Sequence, residues 1–161
     1  MLANVLTGNS ATNVLSGDGG NDTIRGGLGN DTVIGGRGND TYLFGRGDGQ
    51  DLVQDNSGAT DKILYDASIN PLELVISRQA NDLRLIIHGS SDQITVRNWY
   101  VGTTNRMETI QAGNGQVLLS THVDQLIQAM ASFSQQTGLT WDQAIDQLPQ
   151  DVQTVLAASW Q

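Results

Sequence analysis

Three consecutive nonapeptides between residues 17 and 43 are near copies of one another. They read Gly17-Asp18-Gly19-Gly20-Asn21-Asp22-Thr23-Ile24-Arg25, then Gly26-Gly27-Leu28-Gly29-Asn30-Asp31-Thr32-Val33-Ile34, then Gly35-Gly36-Arg37-Gly38-Asn39-Asp40-Thr41-Tyr42-Leu43. A fixed period of nine requires one local structure that repeats and stacks on itself. The glycines free the backbone for a tight turn and let carbonyl oxygens face a common point. The eighth position is apolar (Ile24, Val33, Tyr42), which supplies one inward side chain per unit. The pattern predicts six residues of turn and three of strand, with two units completing a coil of eighteen residues.

The sixth position is always aspartate: Asp22, Asp31 and Asp40. In the predicted coil the turns of alternate units lie above one another, so Asp22 stacks on Asp40 and Asp31 on Asn13. Two carboxylates ~4 Å apart repel by ~1 kcal/mol in water and by ~4 kcal/mol at an effective dielectric of ~20. The stack therefore calls for a cation between turns. Calcium accepts six to eight hard oxygens at about 2.3–2.6 Å, backbone carbonyls included. A flexible Gly/Asp linker is the alternative, and the strict spacing with its regular apolar position argues against it.

The period frays at both ends. Upstream, Gly8 to Ser16 keeps the frame with Asn13 in place of aspartate, an oxygen without charge and hence a weaker ligand. Downstream, Arg46 to Gln54 fits after two extra residues, Phe44 and Gly45, and Asn56 to Leu64 fits more loosely. Asp48, Asp51, Asp55 and Asp61 are candidates for the last ligands, Asp51 foremost.

These repeats, with the tail Asp40-Thr41-Tyr42-Leu43-Phe44-Gly45-Arg46-Gly47-Asp48-Gly49-Gln50-Asp51, resemble the RTX, or haemolysin-type calcium-binding, family. Ile94 to Tyr100 and Ile110 to Val117 resemble that family's post-repeat strand–turn–strand signature. The resemblance covers about residues 8–120. It implies a mainly β fold, a right-handed parallel β-roll with a C-terminal β cap and a short helical tail. It also implies several bound Ca2+ ions, calcium-dependent folding and a secreted, extracellular protein. Export would use type I secretion machinery (an ABC transporter) through an uncleaved C-terminal signal. The family's ligands are position-six carboxylates with turn carbonyls. Carried to this chain, these are Gly17, Gly19, Gly26, Gly27, Leu28, Gly29, Gly36 and Gly38 beside Asp22, Asp31 and Asp40.

Charge agrees with a cation partner. The net charge is −9 over 161 residues, and residues 1–61 hold eight Asp, no Glu and three Arg. That excess repels nucleic-acid phosphates. The chain has no cysteine, so neither disulfides nor thiolate sites arise. No apolar run is long enough to span a membrane, and residues 1–4 lack the basic-then-apolar pattern of a cleaved leader. The start inside a degenerate repeat suggests a cut from a longer polypeptide, a toxin, protease, lipase or adhesin.

Beyond the repeats, the pattern divides the chain into a roll over 8–64, a β cap over 65–120 and a helical region over 121–161. Strands are expected at 63–65, 72–77, 83–88, 94–100, 107–112 and 116–119, with Trp99 and Tyr100 as cap anchors. A solenoid end exposes backbone and core, which makes a cap necessary. Val123, Leu126, Ile127 and Met130 share a helix face. Thr140 and Gln143 form a capping box, with Trp141, Ile145 and Leu148 on the helix behind it. Pro149 starts a last helix with Val152, Val155 and Leu156 inward. No Lys or Arg follows Arg106, in keeping with the export-signal reading of this region.

No catalytic constellation emerges. His88 and His122 stand alone, and no G-x-S-x-G elbow, H-E-x-x-H pair or phosphate loop occurs. The chain is expected to be a monomeric calcium-binding module rather than an enzyme. The alternative is an adhesion or ligand-binding module that calcium rigidifies.

Overall fold

A computed structural model describes residues 1–161. Seven strands wind the roll: β1 (Val5–Thr7), β2 (Val14–Ser16), β3 (Thr23–Arg25), β4 (Thr32–Ile34), β5 (Thr41–Phe44), β6 (Gln50–Gln54) and β7 (Lys62–Tyr65). They fall alternately into two sheets, β1-β3-β5-β7 and β2-β4-β6, each paired in parallel. Val5 pairs with Thr23 and Thr23 with Thr41, eighteen residues apart, as two nonapeptides require. The roll starts earlier than the predicted residue 8, because Asn4 already occupies the position-six place, its N–H donating to Asp22 Oδ1 at 2.7 Å. The strands from β3 onward send apolar side chains inward: Ile24, Val33, Tyr42, Val53 and Ile63 are fully buried, and β5 and β7 add Phe44 and Tyr65.

The cap continues the same two sheets. After a capped 3₁₀ turn at Pro71–Glu73 come β8 (Leu74–Gln79), β9 (Asp82–Ile87), β10 (Gln93–Val96), β11 (Thr109–Gln111) and β12 (Val117–Leu119). β10 lies parallel to β6 and β11 parallel to β7, so they take the places of one further coil. β9 and β8 then extend one sheet antiparallel, and β12 the other. The expected strand over 94–100 ends at Val96. Asn98 adopts φ 59° and turns the chain there, which seats Trp99 fully buried beneath it. The strand expected from Leu72 begins at Leu74, since Pro71 and the Asn70 cap hold residues 71–73 in a 3₁₀ turn.

Three helices follow: α1 (Val123–Thr137), α2 (Trp141–Gln147) and α3 (Pro149–Ala157). Thr140 and Gln143 make the reciprocal capping box of α2, and Pro149 opens α3. Leu148 ends α2 rather than lying on its face. Val123, Leu126, Trp141, Val152 and Leu156 are buried, and 29 buried apolar residues form one core through roll, cap and helices. The chain end returns to the sheet, where Val117 and Gln161 exchange backbone hydrogen bonds of 2.8 and 2.9 Å. Two polar ties help hold the helices: Tyr100 Oη donates to Asp124 at 2.9 Å, and His88 sits between Asp142 and Asp146. No helix is long and apolar enough to cross a membrane.

Candidate metal centre

The position-six aspartates form two ladders, one on each edge of the roll. On one edge, Asp22 N–H donates to Asp40 Oδ1 at 2.8 Å and Asp40 N–H to Asp61 Oδ1 at 2.7 Å. On the other, Asn13 N–H donates to Asp31 Oδ1 and Asp31 N–H to Asp51 Oδ1, both at 2.8 Å. Each carboxylate thus spends one oxygen on the coil before it. The second oxygen is left over. Oδ2 of Asp22, Asp31, Asp40 and Asp61 is buried and meets no donor. A buried carboxylate oxygen without a partner is costly.

The turns leave room beside these oxygens because no side chain fills it. A Cβ at Gly17, Gly26 or Gly35 would collide with Oδ2 of the aspartate in its own turn. Gly38 is held at φ 141°, where a Cβ would strike the carbonyl oxygen of Gly20 one coil away. Gly27, Gly29 and Gly36 also take positive φ, whereas Gly17, Gly19 and Gly26 do not. Leu28 projects to solvent from its turn. The donor set is therefore carboxylates and main-chain carbonyls, hard oxygens suited to Ca2+ and not to soft metals.

Without a cation Asp40, Asp51 and Asp61 resist ionisation. Burial pushes Asp51 and Asp61 up to about 7, with their acidic neighbours adding to the effect. Burial raises Asp40 as well, against the stabilising hydrogen bond from Asp22. A cation among them would remove this penalty.

Not every predicted ligand offers its side-chain oxygen to a ladder. Asp48 Oδ2 instead accepts from Gly45 N–H at 2.7 Å, and its Oδ1 lies 3.7 Å from Arg25. Asn13 turns its Oδ1 to Asn9 N–H within its own turn. Three partners are absent from the sequence-derived set. Glu108 Oε2 accepts from Asp61 N–H at 2.7 Å and ends one ladder. Asp92 accepts from Gly47 and Gly49 at 2.8 and 3.2 Å beside the other. Neither belongs to the period, so no local pattern marks them. The third was in plain view: the fifth position is Asn21, Asn30 and Asn39. Their Oδ1 atoms accept from the N–H groups of Asn39, Gln50 and Ala59 in the coil that follows. An outer amide ladder thus runs beside the carboxylate one.

Residues 7–42 match the RTX calcium-binding nonapeptide repeat, in four copies. Residues 82–120, which hold β9 to β12, match the haemolysin-type calcium binding protein related domain. Repeats of this kind bind several Ca2+ ions. The repeats and the related domain, set in one parallel roll, are those of the RTX haemolysin-type calcium-binding family.

Proposed function

We propose that this chain is a calcium-switched folding module of a secreted protein, and that its roll closes only when the turns are loaded. The observation that carries the reading is the set of four buried Oδ2 atoms with no donor. Asp22, Asp31, Asp40, Asp51 and Asp61 would hold the ions, with carbonyls of the turns at Gly17, Gly19, Gly26, Gly27, Leu28, Gly29, Gly36 and Gly38 completing the shells. Asn13, Asp48 and Glu108 stand at the margins of this set. Bound Ca2+ supplies charge neutralisation and a common point for oxygens of adjacent turns.

Extracellular modules work with dissociation constants of about 10⁻⁴–10⁻³ M. Each site filled at 100 times its constant adds about 2.7 kcal/mol. Several together rival the ~5–15 kcal/mol stability of an ordinary domain. In calcium-poor cytosol residues 5–61 would stay open and threadable. Export through type I machinery is supported by the match to this family and by a tail without basic residues after Arg106. In this reading residues 121–161 carry the export signal.

Calcium titration of the chelator-stripped chain, followed by far-UV circular dichroism with magnesium as control, tests the switch. Strand signal should appear with calcium and not with magnesium. Equal structure in excess chelator would sink the proposal. For export, deletion of 121–161 should abolish secretion while calcium binding by the roll persists.

A further inference from the structure

We propose that Asp40, Asp55 and Asp61 form a three-carboxylate Ca2+ site at the last coil of the roll, and that it fills before the other sites. The inference rests on the calcium-binding reading above and adds a ligand, Asp55, that the nonapeptide does not supply. One oxygen from each of the three carboxylates lies within 4.8 Å of the others. Oxygens bound to one Ca2+ at 2.3–2.6 Å can stand no more than roughly 5 Å apart. Asp40 and Asp61 are 0% and 1% exposed, and each has an Oδ2 that no donor meets.

The origin of Asp55 lies in register. The bridge between Arg37 and Ser57 aligns their two turns, which places Asp55 one coil after Gly35. At that first position the earlier turns carry Gly17, Gly26 and Gly35, with no side chain. Here an acidic side chain enters instead, and it is fixed in place. Tyr42 Oη donates to Asp55 Oδ2 at 2.6 Å, and Gly35 N–H donates to Tyr42 Oη at 2.9 Å. Asp55 Oδ1 accepts from Asn56 and Ser57 N–H at 2.7 and 3.1 Å. Asp55 also lines a cleft of about 190 Å³ with Gln54, Asn98 and Asn105. Affinity in calcium sites rises with ligand charge and with rigidity. Three oriented carboxylates therefore outrank the two-carboxylate turns, and hydrogen-bonded partners such as Tyr42 tune such ligands further.

Calorimetric titration of the chelator-stripped full chain with CaCl2 tests the site. Asp55→Asn should weaken the tightest class of sites at least tenfold. Asp151→Asn, which removes an exposed charge on α3, should leave it unchanged. An unaltered tightest class in Asp55→Asn overturns the inference. Should that variant fail to fold, the native chain still decides the matter. In crystals grown with Tb3+, an anomalous peak should lie within about 2.6 Å of carboxylate oxygens of Asp40, Asp55 and Asp61. Metal bound elsewhere in the roll, with Asp55 touching only Tyr42 and its own turn, overturns this site alone. A native chain that takes up no metal at all overturns the calcium reading with it.

Discussion

The coils of residues 5–65 and the cap of residues 66–120 share two continuous sheets, yet different kinds of side chain fill them. The coils bury seven aspartates and only seven apolar side chains, while the cap buries thirteen apolar side chains and a single aspartate, Asp92. Hydrophobic burial contributes roughly 1.5–3 kcal/mol per large side chain, so the cap has a driving force of its own. The coils have a narrow core and a charge deficit to be made good from outside. One backbone architecture can thus be stabilised autonomously at one end and conditionally at the other.

Calcium removal separates the two regions most sharply. In chelator, amide exchange should become fast throughout β2 to β6 while β8, β9 and β10 keep protection, read by hydrogen–deuterium exchange mass spectrometry. Uniform loss or uniform retention would erase the distinction. Next in size is Leu85→Ala, at a fully buried position of β9. It should cost about 2–5 kcal/mol in urea unfolding, with calcium present or absent. Gly38→Ala should act on the coils alone. Its strained φ and the clash with Gly20 should cost about 1–3 kcal/mol and move the calcium midpoint of folding upward, leaving exchange in β9 unchanged.

The smallest effect concerns the helices. His88 lies on the turn after β9, with Nδ1 2.6 Å from Asp142 Oδ1 and Nε2 2.9 Å from Asp146 Oδ1. Both ring nitrogens donate only in the imidazolium, and these carboxylates raise the pKa of His88 above its ordinary value. The stabilisation is complete below the unfolded pKa of about 6.5 and disappears as pH rises through the higher folded value. His88→Gln should therefore lose roughly 0.2–1 kcal/mol at pH 6 and nothing at high pH, measured by thermal unfolding in calcium.

The same contrast explains what the sequence made legible. Periodicity exposed the turns, the inward Ile24, Val33 and Tyr42 and the stacking of Asp22 on Asp40, because each unit repeats its neighbour's environment. The asparagine ladder was equally periodic, yet its role depends on hydrogen bonds between coils that spacing alone does not reveal. Asp92 and Glu108 enter the roll from the cap, at separations of more than forty residues from their partners, where no pattern reaches. The end of β10 at Val96 turned on one residue, Asn98, whose left-handed backbone an apolar-rich stretch conceals. Local capping chemistry at Thr140 and Pro149 placed the helix starts well, while the salt links of His88 arise only from tertiary docking.

The N–H groups of Asp22, Asp31, Asp40 and Asp61 are each met by a carboxylate from the coil that follows, ending with Glu108 for Asp61. Stripping away the first coil consequently orphans no such donor, whereas stripping away the last leaves Asp61 stranded. The asparagine rungs point the other way, but they lie exposed, where water can substitute. The roll is a one-way zipper whose slider sits at the cap: it frays from residue 5 inward and closes from residue 61 back.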